Sequence, residues 1–150
     1  MLFLSIEAAL IATNRVPGLW REHYAFMHIL GYKKEMYELE KSKLKEQIIK
    51  LPSLQIIATD ISKRAIEVAK ANAKVAGVDH LIYFKDCPFE KTNLPAATEG
   101  AVVMFNPEYG ERLGESSELE TTYAQMGDFL KNACKGYTGY IFTEIGRAHV

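Results

Sequence analysis

The sequence predicts an α/β protein built on a parallel sheet with helices on both faces. Two observations carry that reading. From Leu54 onward, short apolar runs rich in β-branched residues alternate with longer segments whose apolar residues recur at helical spacing, the pattern of βαβ units. The 150 residues are 48% hydrophobic and 25% charged, which suits one globular domain able to bury a core.

The elements follow in order. Residues 2–13 read as a helix, with Ile6, Ala9, Leu10 and Thr13 on one face. Pro17 and Gly18 punctuate the break after it. Residues 20–32 are aromatic and irregular, with room for a short helix. Residues 34–50 are charged and helix-forming, and place Tyr37, Leu44 and Ile48 on roughly one face before Pro52 and Ser53 stop them. A buried strand is expected over residues 54–59. Ser62 then caps a helix over residues 63–76, with Ile66, Ala69, Ala73 and Ala76 on one face, and Gly77 closes it in the left-handed conformation. Further strands are expected at 81–85, 101–105 and 139–142, the last two buried, with a helix at 116–133 between them.

Several classes are excluded at this stage. No apolar run is long enough to cross a bilayer, and the first twelve residues carry Glu7 without a basic leader, so no membrane association and a cytoplasmic location are expected. The net charge of −1 excludes a broadly basic nucleic-acid surface. Any such contact must use a local patch or another domain. Cys87 and Cys134 are far apart and form no metal or redox motif; two reduced thiols and no metal site are expected.

In a parallel α/β sheet, ligands bind beyond the carboxyl ends of the strands. The residues to read for chemistry are therefore Asp60, Asp86 and Asn106. Asp60 can accept hydrogen bonds from ribose hydroxyls, or can simply cap the following helix. Asp86 can accept from an exocyclic adenine amine, or serve a turn. The segment Asn106-Pro107-Glu108-Tyr109 is more specific. An exocyclic amine is a poor nucleophile because its lone pair is delocalised. The Asn106 side-chain carbonyl and the Pro107 main-chain carbonyl can accept its two N–H groups and aim the lone pair. Tyr109 offers a ring for stacking. Catalysis would rest on orientation and electrostatics without a covalent enzyme intermediate. An ordinary Asn-Pro turn remains the other reading of the tetrapeptide.

The run continues Gly110-Glu111-Arg112-Leu113-Gly114. Residues 106–114 resemble the N-P-P-Y-G-E-R-L-G segment of THUMP-containing class I RNA methyltransferases, in particular the guanine-N2 methyltransferases of large-subunit ribosomal RNA. Residues 6–13, 16–19, 58–61, 64–66, 71–73 and 76–78 are similar to that family in the same order, so the resemblance covers about residues 6–142. It implies a Rossmann-like class I methyltransferase sheet, S-adenosyl-L-methionine as cofactor and 23S ribosomal RNA as partner. Carried over by position, Asp60, with Ile61 beside it, would hold the ribose of the donor, and Asp86 would face its adenine. Asn106, Pro107 and Tyr109 would hold and stack the target guanine. Arg112 would pair with a phosphate or brace the loop, with Glu111 orienting it.

The sequence departs from the family in two places. The family precedes its first helix with a strand and a D-P-x-C-G-S-G-T loop, where glycines admit the donor. Here Met1–Ser5 contain no glycine, so the N-terminal strand and glycine loop are expected to be missing and residues 1–143 to form a partial catalytic domain. Residues 144–150, E-I-G-R-A-H-V, back-translate to a string resembling a sequencing adapter and are expected to be a non-native tail. Glu108 stands where the family has a second proline. Since the first proline supplies the acceptor carbonyl, activity is expected to survive this change.

Two rival readings stay open: methylation of another planar amine, such as adenine N6 or a glutamine amide, and RNA binding without catalysis. His23 and His28 lie in the aromatic stretch and read as packing residues. The lysines and glutamates between Lys33 and Lys50 read as a solvated helix face, with phosphate contact as the second reading.

Overall fold

The computed structural model describes residues 2–51, 53–107 and 116–142, with the side chains of 116–119 left out. The elements are α1 (Phe3–Ala12), a 3-10 turn (Ala25–His28), α2 (Lys34–Glu46), β1 (Ile56–Asp60), α3 (Lys63–Ala76), β2 (Ile82–Asp86), β3 (Val102–Phe105), α4 (Ser116–Ala133) and β4 (Thr138–Ile141). Two compact units divide the chain, Leu2–Phe89 and the residues from Glu90 onward.

In the first unit β1 and β2 pair in parallel, with Ile56 opposite Ile82, Ala58 opposite Phe84 and Asp60 opposite Asp86. Successive side chains of a strand alternate between faces. Ile56, Ala58, Ile82 and Phe84 therefore share one face, and all four belong to a core completed by α1 and α3. These helices pack on each other as well as on the strands. Each supplies a fully buried alanine, Ala9 and Ala73, and small residues allow helices to approach closely. The expected apolar faces turn to the core: Ile6, Ala9 and Leu10 of α1 with Thr13 just after it, and Ile66, Ala69 and Ala73 of α3, are buried, while Ala76 is partly buried against them. Thr13 satisfies its buried hydroxyl by donating to the Ala9 carbonyl at 2.6 Å.

Local chemistry sets the boundaries. The Ser62 hydroxyl accepts the Ala65 N–H, which caps α3. Gly77 ends that helix at φ 71°, and the Arg15 guanidinium lies so close that a Cβ there would meet Nη1 at 2.7 Å. A cation at this end of a helix is favoured by the unpaired carbonyls of its last turn. Helix α2 is four residues shorter than expected. Thr13 draws off the Ile49 N–H at 2.8 Å, and the Asn14 amide donates to the Gln47 carbonyl at 3.1 Å. The chain is thus pulled out of the helix well before Pro52.

In the second unit β3 and β4 pair in parallel, Val102 opposite Thr138 through Phe105 opposite Ile141. Phe105 is buried edge-on against Phe129 of α4, with centroids 6.1 Å apart. Gly139 lies against Leu130, where a Cβ would meet Cδ2 at 2.8 Å. Contrary to expectation, β3 and β4 are not buried throughout. Val102, Met104 and Tyr140 are about half exposed, because α4 covers one face of a pair of strands whose alternate side chains point the other way.

Candidate functional site

The carboxyl ends of β1 and β2 bring two expected residues together. Asp60 and Asp86 are the last residues of their strands and register partners, so their Cα atoms lie about one strand spacing apart, ~4.8 Å. The Cys87 N–H donates to the Asp60 carbonyl at 3.0 Å and extends the pairing past the strand end. Each strand runs one residue further than the sequence suggests, so both carboxylates belong to the sheet edge and not to the turns after it.

The Asp60 side chain is held. Its Oδ1 accepts the Ser62 N–H at 2.9 Å, closing an Asx turn. A carboxylate has about four lone-pair sites, so its remaining capacity can take hydroxyl donors. Ile61, the residue after Asp60, is 80% exposed, an apolar side chain next in the chain to this acceptor. That combination matches a nucleoside, which offers two adjacent hydroxyls and a flat apolar ring. Ser62 does more than the helix capping expected of it. Its tie to Asp60 was signalled by the Asp-x-Ser spacing, and it fixes the carboxylate's orientation.

The carboxyl end of β3, in the second unit, carries Asn106 and Pro107. The Phe142 N–H donates to the Phe105 carbonyl at 2.8 Å, which fixes the backbone just before Asn106. Pro107 is buried and Asn106 half-buried. The Asn106 Oδ1 is shielded from water and has no hydrogen-bond partner among the described residues. Leaving a buried acceptor unpaired costs about 1–3 kcal/mol. A carbonyl oxygen kept in that state is poised for a donor from a ligand. Tyr109, Glu108, Glu111 and Arg112, and the expected tail at 144–150, lie outside the described residues.

Elsewhere the surface has a cleft of about 500 Å³ lined by Lys70, Lys74, Asp79 and Tyr83 among others. It adjoins the start of β2 and the second half of α3, the end of the unit opposite Asp60 and Asp86, and contains none of the expected site residues. Cys87 and Cys134 are buried and unbonded, and burial pushes the Cys134 thiol up. Among the described residues no group of three His, Cys, Asp or Glu is arranged to hold a metal, and no helix is long and apolar enough to cross a membrane.

Comparison with known proteins gives this geometry a context. A ribosomal RNA large subunit methyltransferase K/L of Syntrophotalea carbinolica is 36% identical over 146 residues, covering 93% of this chain and 20% of the relative. The enzyme of the same name from Alteromonas mediterranea is 39% identical over 137 residues, covering 89% of this chain and 19% of its own. The chain thus spans about a fifth of the length of these curated relatives. Among solved structures, SMU.472, a candidate methyltransferase complexed with SAH, superposes with a TM-score of 0.82 at 27% identity, covering 93% of this chain and 36% of that one. A protein described as a predicted N6-adenine-specific DNA methylase from Listeria monocytogenes superposes at 0.77 with 31% identity, covering 94% and 36%. These likenesses bear out the expected class I methyltransferase fold. The UPF0020 model, an RMKL-like methyltransferase domain, matches residues 3–146, and the chain belongs to that family.

Proposed function

We propose that this chain is part of the catalytic domain of an enzyme that transfers a methyl group from S-adenosylmethionine to the exocyclic N2 amine of a guanine in large-subunit ribosomal RNA. Residues 1–143 would supply the domain's core, residues 144–150 would play no part, and the reaction would take place in the cytoplasm. The observation that carries the reading is the buried Oδ1 of Asn106 at the carboxyl end of a parallel strand, without a hydrogen-bond partner among the described residues. An amine N–H would supply the donor. The Pro107 carbonyl is the adjacent acceptor for the second N–H, and a proline there adds no competing donor. Held by both, the amine has its lone pair directed rather than spread into the ring. Tyr109 would stack on the base, and Arg112 would meet a phosphate.

The cofactor fits the first unit. Asp60 would hold its ribose hydroxyls through the capacity left after Ser62, Asp86 would accept from its adenine amine, and Ile61 would cover an adenine face. SAH, the demethylated form of the same donor, accompanies the related SMU.472. When bound, the cofactor supplies a methyl group on a positively charged sulfur. The protein's own task is to orient the amine and exclude water.

The kinship with K/L enzymes favours ribosomal RNA as substrate. The Listeria neighbour's description favours a second reading, methylation of adenine N6, since the Asn106–Pro107 pair would grip either amine alike. Incubating the intact enzyme that carries this chain with labelled S-adenosylmethionine and protein-free large-subunit ribosomal RNA, then digesting to nucleosides, separates them. N2-methylguanosine is the expected product. N6-methyladenosine would transfer the assignment to the second reading, and RNA binding without any methylated nucleoside would leave only a binding module.

A further inference from the structure

The segment between Arg15 and Lys50 is unlike the rest of the first unit. Neither the 3-10 turn nor α2 contributes a buried residue. It holds eight lysine and arginine residues against five glutamates, a surplus of three positive charges in a chain whose net charge is −1. The side chains are nonetheless ordered by aromatic contact. Arg21 sits over the Tyr24 ring at 5.0 Å and Lys41 over Tyr37 at 5.5 Å. Lys45 and Arg15 share Trp20, at 5.2 and 5.7 Å. Tyr24 stacks on Phe26 at 5.2 Å, and Phe26 meets Tyr37 at 5.6 Å, so the rings link the turn to the helix. Trp20 and Phe26 are nevertheless 50% and 42% exposed.

The carboxylates do not neutralise these cations by direct pairing among the described residues. Glu40 pairs with Lys43 at 2.7 Å, and no carboxylate among the described residues lies within ion-pair distance of Arg21, Lys41 or Lys45. Each of these cations touches a ring with one side and keeps further N–H donors for another partner. Holding the chains in place beforehand reduces the entropy lost when an anion binds. Lys41 and Lys45 are four residues apart, about 6 Å along the helix axis, on the scale of neighbouring phosphates of a nucleic-acid strand.

We propose that the 3-10 turn and α2 form a contact surface for single-stranded RNA, with Arg21, Lys41 and Lys45 on its phosphates and the exposed edges of Trp20 and Phe26 against its bases. The combination of an ordered basic ridge and aromatic surface is the recognition chemistry of single strands. The inference rests on the reading that the substrate is RNA and locates where the strand runs beyond the target base.

Trp20 is the only tryptophan, so its fluorescence reports on this surface directly. Titration with a short single-stranded RNA oligonucleotide should change it saturably. Affinity measured by anisotropy of labelled RNA should fall at least tenfold in the triple variant Arg21→Gln, Lys41→Gln, Lys45→Gln. Its log–log salt slope should drop by about 2, since each phosphate contact on a single strand contributes ~0.7. A variant with the same charge change on α3, Lys63→Gln, Lys70→Gln, Lys74→Gln, should bind nearly as the parent does. Circular dichroism checks the fold, and should the triple variant unfold, Lys41→Gln alone should lower the slope by ~0.7. Unchanged affinity and slope, equal loss in the α3 variant, or equal competition by polyglutamate would overturn the inference. Methyl transfer fails separately: loss of RNA affinity with a different methylated nucleoside would defeat the substrate assignment and leave this surface standing.

Discussion

At the end of β1 the fold pairs its polar side chain; at the end of β3 the described residues leave one unpaired. Asp60 accepts the Ser62 N–H, and Ser62 in turn caps α3. Asn106 keeps its Oδ1 buried and without a partner among the described residues. Both stand where parallel α/β sheets bind ligands. For Asp60, the proposed binding role and the folding role are entangled, because the same carboxylate shapes the turn into a helix. Asn106 receives no hydrogen bond through its oxygen from the described residues, a state that costs about 1–3 kcal/mol unless a donor meets it. The contrast teaches that the unsatisfied group is the sharper indicator of chemistry, while the satisfied one indicates placement.

Substitutions can break this contrast at several points. The largest effect is expected from the core that positions Asp60. Ile66→Ala should destabilise the protein by about 2–5 kcal/mol in denaturant titration, as buried isoleucines do; a change below about 1 kcal/mol would mean that α3 is not anchored as described. Asp60→Ala should weaken S-adenosylmethionine binding by about 10–100-fold in calorimetry, the scale of one or two hydrogen bonds to a charged group. It should also lower stability modestly through the lost Asx turn. Stability loss with unchanged donor affinity would return Asp60 to a purely structural role. Gly77→Ala should cost about 1 kcal/mol, because a Cβ is strained at φ 71° and Arg15 must move aside. Melting temperature reports it, and an unchanged value would contradict the tight cap.

The smallest effect concerns pH. Burial raises the Cys134 thiol above its ordinary value. In alkaline solution the folded chain therefore keeps a proton that the unfolded chain releases. The resulting stability is fully present below the ordinary thiol range and is lost as pH climbs through the raised value. Cys134→Ser should flatten that alkaline decline; an identical pH profile would show that the thiol does not contribute to it.

Much of this was legible in the sequence, for identifiable reasons. The α3 segment announced itself at every level, from the Ser62 cap through its apolar face to Gly77, because each signal is local. The strands were placed within a residue or two, since a four- or five-residue apolar run leaves its ends undefined. The end of α2 was missed because the Thr13–Ile49 and Asn14–Gln47 bonds are tertiary, and no local pattern encodes them. The half-exposure of β3 and β4 was missed because an apolar run does not tell how many of its faces are covered. Asn106 was legible as part of a motif, but its unpaired oxygen was not, for that depends on every neighbour. The lysines of α2 read as an ordinary solvated face, since composition does not reveal which cations lie over rings and which pair with glutamates.

The most direct test of the central claim is a paired measurement on Asn106→Ala in the intact enzyme that carries this chain: single-turnover methyl transfer to large-subunit ribosomal RNA, and thermal stability of the same variant. The account predicts a rate lower by about 100- to 1,000-fold, the scale for losing one preorganised hydrogen bond at a reacting group, with stability equal to or above that of the parent. A variant that keeps its rate, or that loses rate and stability together, would contradict it.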